Sequence, residues 1–243
     1  MSRLLPTLLC SVLLSTAPAG LADERDVHNP DPWEGLNRKV YIFNDYIDRN
    51  LLVPTARAYQ WITPDPVQRG VRNVIDNLLE VTTVANGLLQ GKFSQATSDT
   101  GRFLVNSTVG VLGVFDVASR IGLERHDEDL GQTLGYWGVP SGPFVVVPFF
   151  GPFTVRDGLA FVVDTSTTDY LANLDDVRTR NSVTVLRFVS LRADLLKSED
   201  LISGDRYSFI RDAYLQRREY LVRDGKVEDT FGDEDYEEDW DEW

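Results

Sequence analysis

The chain has one cysteine, one methionine and two histidines in 243 residues, and each scarcity excludes something. A single cysteine, Cys10, leaves no internal disulfide framework and no four-cysteine zinc site. There is no G-x-S-x-G elbow, no P-loop, no G-x-G-x-x-G after a strand and no H-E-x-x-H, so the signatures of the common hydrolases and nucleotide binders are missing. No stretch of ~18 uncharged apolar residues exists either. The best candidate, Phe103 to Leu123, is interrupted by Asn106, Asp116 and Arg120, so no transmembrane helix is expected. Cationic excess is absent as well: 24 Lys and Arg face 38 Asp and Glu, for a net charge of −14. Nucleic-acid binders need Lys and Arg to neutralise phosphates, so no nucleic-acid partner is expected.

The chain is 42% hydrophobic, enough to build a core. Its acid is concentrated at one end. Between Asp224 and Trp243 eleven acids and one lysine give −10, leaving only −4 on residues 1–223. Such a block repels itself and stays solvated, so residues 224–243 read as a disordered acidic tail. It is either a solubilising end or a docking tail for a basic partner, with Tyr236, Trp240 and Trp243 as its aromatics.

The N-terminus reads as an export signal. Arg3 precedes an apolar run from Leu4 to Leu14, and small residues then suit cleavage after Ala19 or Ala22. Residues 1–22 are therefore assigned as a signal peptide. Cys10 is a candidate for lipidation, but bulky Leu9 stands where lipoprotein signals want a small residue. The remainder, 23–223, shows no internal repeat and no Gly/Ser linker, so a single domain is expected.

Helical patterning dominates it. Asp31-Pro32-Trp33-Glu34 offers an N-cap, a proline and a carboxylate three residues on, and Leu36, Val40, Phe43, Ile47 and Leu51 form a stripe behind it. Pro54 should end or bend that helix. Asp65-Pro66-Val67-Gln68 repeats the device, with Val67, Val71, Val74, Ile75 and Leu78 as its stripe and helical periodicity continuing towards Gly91. Ser94 could cap a helix carrying Phe103 and Leu104 and extending to Val111 and Leu112. Val185, Leu186, Val189, Leu195 and Leu196 suggest another, and Asp205 or Ser203 could start the last, with Tyr207, Ile210, Tyr214 and Leu221 on one face.

Between them, Gly135 to Gly158 carries Pro140, Pro143, Pro148 and Pro152 among Trp137, Phe144, Val145, Val146, Val147, Phe149, Phe150 and Phe153. That proline density forbids a continuous helix or a central strand, so an extended or hairpin-like segment is expected. It either fills the core or touches lipid or a partner. The acidic run His126-Asp127-Glu128-Asp129 could in principle hold a divalent ion, but a solvated turn is the better reading, and no metal or cofactor is assigned. Asp175-Asp176 and Glu199-Asp200 read as helix-end or surface charge. The residues alone describe an exported, mostly helical, non-enzymatic protein, either an interfacial membrane protein or a soluble periplasmic binding module.

Several segments together resemble the MlaA (VacJ) family of Gram-negative outer-membrane proteins. They are DPWEGLNRKVYIFNDYID (31–48), VPTARAYQWITPDPVQRGVRNVIDNL (53–78), LLQGKFSQATSDTGRFLVNSTVGVLGVFDVAS (88–119), TLGYWGVPSGPFVVVPFFGPFTVRDG (133–158) and RDAYLQRREYL (211–221). The resemblance implies a mostly α fold, a flat ring of amphipathic helices around a channel with a proline-rich irregular hairpin. It implies a place in the outer membrane on its periplasmic side, beside a trimeric porin. It implies removal of misplaced phospholipids from the outer leaflet and their transfer to the soluble periplasmic carrier MlaC, which maintains lipid asymmetry without covalent chemistry. A structural or virulence-related surface protein of the same fold is the alternative. Many family members carry a clear lipoprotein signal, from which the context of Cys10 departs. Candidates for the lipid channel or membrane contact are Asn106, Ser107, Thr108, Val109, Gly110, Leu112 and Gly113, whose small residues allow close helix approach. Phe144, Val146, Phe149 and Phe150 of the proline-rich segment are the others.

Overall fold

The first helical run shows how this sequence departs from simple punctuation. In the computed structural model, which describes residues 29–196 and 204–226, α1 spans Glu34–Ile47, a π-helical turn Asp48–Leu52 and α2 Val53–Ile62. Pro54 neither ends nor sharply breaks the run. The preceding turn widens so that the Val53 N–H bonds to the Asp48 carbonyl, five residues back. Pro54 then lies in the first turn of α2, where a missing N–H is harmless. The expected leader at 1–22, Cys10, Glu199-Asp200 and the tail beyond residue 226 lie outside the described residues.

The other elements follow in order: α3 (Asp65–Leu89), α4 (Phe93–Thr108), α5 (Val117–Arg120), α6 (Leu130–Tyr136), β1 (Phe144–Val147), β2 (Gly151–Thr154), α7 (Val155–Thr167), α8 (Val177–Leu195) and α9 (Arg206–Val222). Each expected helix forms, but three expected caps do not. The N-cap of α1 is Trp33 rather than Asp31, which is buried instead, accepting from the Asn37 amide at 2.7 Å and from the Tyr207 hydroxyl. Asp65 lies inside α3, after Pro64. Ser94 lies inside α4, which starts one residue earlier and ends at Thr108, so Val111 and Leu112 are not helical. Side-chain caps do form at Asp116, Asp129, Thr154 and Asp176, each accepting the N–H three residues on.

The proline-rich segment is a two-stranded antiparallel hairpin, with Phe144 opposite Thr154 and Val147 opposite Gly151. It is small enough for its prolines: Pro143 precedes β1, Pro148 is in the turn, and Pro152 occupies a strand with one neighbour. Neighbour packing closes on itself. α1 packs on β1, β1 on β2, β2 on α7, α7 on α6, α6 on α3, α3 on α8, α8 on α2, and α2 returns through the π turn to α1. α4 pairs along α3, and α9 covers α6 and β2.

What faces inward is unusual. Among the described residues 19 buried side chains are polar or charged and 11 are hydrophobic, while 38 large hydrophobics are exposed. Five of the 11 buried hydrophobics are alanines, which let backbones approach closely, as at membrane helix crossings. The stripe Val67–Leu78 therefore exists but is not the buried face of α3. That face is Gln68, Asn77, Glu80, Thr82, Thr83 and Asn86, while Val67, Val81, Leu88 and Leu89 are exposed. On α1 likewise the buried residue is Asn37, and Leu36 and Phe43 are exposed.

Candidate functional site

Polar seams hold the inverted helices together. α3 and α4 run antiparallel, and Gly87 faces Ala96 so closely that an added Cβ would meet it at 3.5 Å. Further along, Arg102 lies 97% buried among acceptors. Its Nε donates to Glu80 at 3.1 Å, and its Nη1 to the Leu123 carbonyl at 2.6 Å and the Ser119 hydroxyl at 3.1 Å. Its Nη2 reaches Asp116 at 3.4 Å. Burial raises the Glu80 pKa, and Arg102 opposes this. Burial also acts to raise Asp116. Hydrogen bonds from the Ser119 hydroxyl and N–H and from the Asn106 amide, with the charge of Arg102, outweigh it and hold that carboxyl at about 2.

Two more seams lie beyond. Thr133 on α6 donates to Asn86 at 2.8 Å, and Gln90 donates to Glu128 at 2.8 Å. On α9, Arg218 grips Asp129 with two bonds of 2.6 and 2.9 Å and reaches Asp157 at 3.0 Å. Glycine makes the room: a Cβ at Gly131 would come within 2.7 Å of both Asp157 and Arg218, and one at Gly135 within 2.8 Å of Arg156. Gly135 is the first glycine of the run TLGYWG at 133–138, and the second, Gly138, serves instead a left-handed backbone of φ 87°. The acidic stretch is thus neither a solvated turn nor a shared ion site. His126 pairs with Asp99 at 2.8 Å, buried Glu128 also takes Lys92 at 2.9 Å, and Asp129 takes Arg218, so the side chains diverge. No metal-holding cluster occurs among the described residues. Asp176 caps α8, a helix-end role as read from the sequence.

The hairpin is pinned to α1 by two asparagines. The Asn37 amide donates to the Phe144 carbonyl at 3.0 Å and accepts from the Val146 N–H at 2.9 Å. The Asn44 amide repeats this with the Val147 carbonyl at 3.0 Å and the Phe149 N–H at 2.8 Å. Cavities open on both sides of the hairpin. The larger, about 550 Å³, lies between α1, the hairpin, the end of α8 and α9, with Tyr41, Phe144, Val146, Leu195 and Ile210 in its wall. The smaller, about 370 Å³, lies between the hairpin, α7 and α8 and is walled by Phe150, Phe153, Phe161 and Phe188. The Phe150 ring packs 5.7 Å from Phe161 and 6.1 Å from Phe188.

The eleven residues singled out from the sequence fall into two groups, and the seven between Asn106 and Gly113 line neither of these two cavities. Phe144 and Val146 line the larger cavity and Phe150 the smaller. Phe149, at the hairpin tip, is exposed and stacks edge-on against Phe43 at 5.3 Å. The stretch from Asn106 to Gly113 closes α4 and turns back on α3. Asn106 is buried, donating to Asp116 at 3.1 Å and accepting from the Ala118 N–H at 2.9 Å. Ser107 accepts from Asn77 at 2.9 Å, and Thr108 bonds to the Leu104 carbonyl at 2.6 Å. A Cβ at Gly110 would collide with the carbonyls of Phe115 and Asn106, and one at Gly113 with Asn77. Val111 and Leu112 adopt left-handed φ of 54° and 57°, and both are exposed with Val109, Leu112 at 76%. Sequence reasoning missed Asn37 and Asn44 and the polar stripe Asn77, Glu80, Thr83, Asn86, Gln90. The signal was present: asparagines two turns apart, and a second polar periodicity beside the apolar one.

The sequence pattern of the MlaA lipoprotein family matches residues 29–221. The "Intermembrane phospholipid transport system lipoprotein MlaA" of Escherichia coli is 35% identical over 205 residues, 81% of this chain and 80% of that protein. Its Haemophilus influenzae counterpart, of the same description, is 29% identical over 242 residues, 91% and 92% of the two chains. A solved structure described as the "structural basis for maintenance of bacterial outer membrane lipid asymmetry" is similar at a TM-score of 0.71 and 33% identity. It covers 79% of this chain and 98% of that one.

Proposed function

The chain belongs to the MlaA lipoprotein family, and on that premise we propose that it is the outer-membrane component of a phospholipid transport system. In this reading it removes misplaced phospholipids from the outer leaflet and passes them to a periplasmic carrier, so that the two leaflets stay different. It does so without covalent chemistry.

The observation that carries the proposal is the inverted polarity: among the described residues, 38 exposed large hydrophobics surround seams of Asn, Thr, Glu and Arg. In water that arrangement wastes apolar burial. Against lipid it is the stable one, because polar groups are satisfied inside and apolar ones meet acyl chains. No helix of the described residues is long and apolar enough to cross a membrane. The exposed faces therefore support helices lying in the interface, where each fully buried Val, Leu or Phe contributes about 1.5–3 kcal/mol. A body of −4 gains little from anionic headgroups, so apolar burial dominates.

The partners of this function are phospholipids, the outer-membrane bilayer, a trimeric porin and the carrier MlaC, with the protein on the periplasmic side. Val109, Leu112 and Phe149 are its membrane contacts, and Phe144, Val146 and Phe150 line the lipid path beside the hairpin. Deleting the gene tests the function. Phospholipid should then reach the outer leaflet and detergent sensitivity should follow, with the protein itself in the outer-membrane fraction. A freely soluble protein, with unchanged leaflets in its absence, would overturn the reading.

A further inference from the structure

A segment without helix or strand, 121–129, joins α5 to α6 and is strapped across α3 and α4 by side chains. Arg102 donates to its Leu123 carbonyl at 2.6 Å, and its Arg125 reaches Asp76 on α3 at 2.6 Å. Its Glu128 accepts from Gln90, Lys92 and Gln95 at 2.8, 2.9 and 3.0 Å. The fixed cations here are fully engaged. Arg102 is shared by Glu80 and Asp116, Lys92 by Glu128 and Asp224, and Arg125 by Asp76 and Asp127. Asp99, completely buried on α4, has an ion pair with none of them. Its Oδ1 lies 2.8 Å from Nδ1 of His126, and its Oδ2 has no hydrogen-bond partner among the described residues.

His126 is therefore the one side chain bonded to this carboxylate among the described residues, and it is also the one histidine among them. Imidazole is the side chain that ordinarily gains or loses its charge between pH 5 and 8. Glu80 from α3, Arg102 from α4 and Glu128 from the strap face the buried acid. Burial raises the Asp99 carboxyl, the His126 hydrogen bond and the Arg102 charge oppose this, and Glu128 adds to the rise. We infer that His126 is a proton-operated clasp: with its proton it supplies the cation that Asp99 lacks and fastens the strap to α4, and without it the strap loosens. The pair is strongest where the imidazole is charged, and that contribution disappears as pH rises through neutrality. The clasp belongs to the fold and does not rest on the transport reading.

Amide hydrogen exchange of the full mature chain in non-ionic detergent tests the clasp at pH 6 and pH 8, read as protection factors so that the intrinsic pH dependence of exchange is removed. Protection over 121–129 should fall about fivefold to tenfold from pH 6 to pH 8, the difference between a charged and a neutral donor on a buried carboxylate. Protection in α8, which is remote from the strap, should stay constant and reports that each variant is folded. His126→Gln keeps a neutral donor and should hold the strap at its looser level at both pH values. His126→Lys keeps a fixed cation and should hold it at its tighter level at both. Asp99→Asn leaves the imidazole and should also abolish the response. Imidazole signals of His126, identified by their loss in His126→Gln, should titrate with the same midpoint as the strap. A strap insensitive to pH in the unaltered protein, a response that survives His126→Gln, a midpoint different from that of the imidazole, or an equal loss of protection across α8 would each overturn the inference.

Discussion

Asn37 and Asn44 stand two helical turns apart on α1, and each presents its amide to β1 as a neighbouring strand would. One receives an N–H from Val146 and gives to Phe144, and the other receives from Phe149 and gives to Val147. A helix thus takes the place of a third strand, and a two-stranded hairpin, marginal by itself, is held in register. Asn37→Leu leaves two backbone groups unpaired and removes one of the bonds to the buried Asp31 carboxylate. It should destabilise the protein by about 3–5 kcal/mol. Asn44→Leu, at a more open position, should cost about 1–2 kcal/mol. Thermal unfolding in detergent reads the difference, and amide exchange should accelerate at Val146 in the first variant and at Phe149 in the second. Equal protection in both variants would show that the hairpin does not need the clamps.

Glycine matters at the turn after α4 and not at the start of α1. A methyl group at Gly110 meets two backbone carbonyls that cannot rotate away, whereas at Gly35 nothing lies within 4 Å. Gly110→Ala should therefore lose about 1–3 kcal/mol through overpacking. Gly35→Ala, inside α1, should gain about 0.5–1 kcal/mol from helix propensity. Opposite shifts in melting temperature check the pair.

The exposed turn at Val111 and Leu112 gives a direct test of membrane contact. Left-handed backbone strains bulky side chains and suits asparagine, so Leu112→Asn should leave the fold intact while removing an apolar contact. If Leu112 enters lipid, vesicle flotation should fall by about tenfold to a hundredfold, the weight of one buried leucine. Unchanged flotation with unchanged unfolding would place this turn outside the bilayer.

Much of this was legible in the sequence. The helices follow from their periodicity, and the hairpin from prolines too dense for anything longer. The family follows from runs such as D-P-x-E-G-x-N-R, whose Asp31 and Asn37 prove to be bonded to one another. The facing of the helices was not legible, because the rule that apolar stripes point inward presumes water outside. In α3 two stripes compete, and only the mutual pairing of Glu80, Asn77 and Asn86 with residues far along the chain decides which is buried. The failed caps have a similar origin: Asp31 has a stronger use with Tyr207, 176 residues away, than at its own helix start.

The paired carboxyls make stability depend on pH in two opposed limbs. Asp116 is held at about 2 against an ordinary value near 3.8, and Asp129 and Asp205 are also lowered. Groups lowered on folding stabilise above their unfolded pKa, and that contribution disappears as pH falls through the folded value. Glu80, Asp99 and Asp164 are instead raised, chiefly by burial. They penalise the folded state at neutral pH, and the penalty fades as acid protonates them there before it would in the unfolded chain. Stability should therefore rise on mild acidification from neutrality, pass a maximum near pH ~4–5, and fall steeply below pH ~4. Asp116→Asn should flatten the acid limb by about 1 kcal/mol, a figure reduced for its partial exposure. Glu80→Gln should flatten the neutral limb while weakening the hold on Arg102. Unfolding midpoints between pH 7 and pH 2, in one detergent at constant ionic strength, measure both limbs. A curve that falls monotonically from neutrality would show that Glu80, Asp99 and Asp164 are not raised in the folded protein.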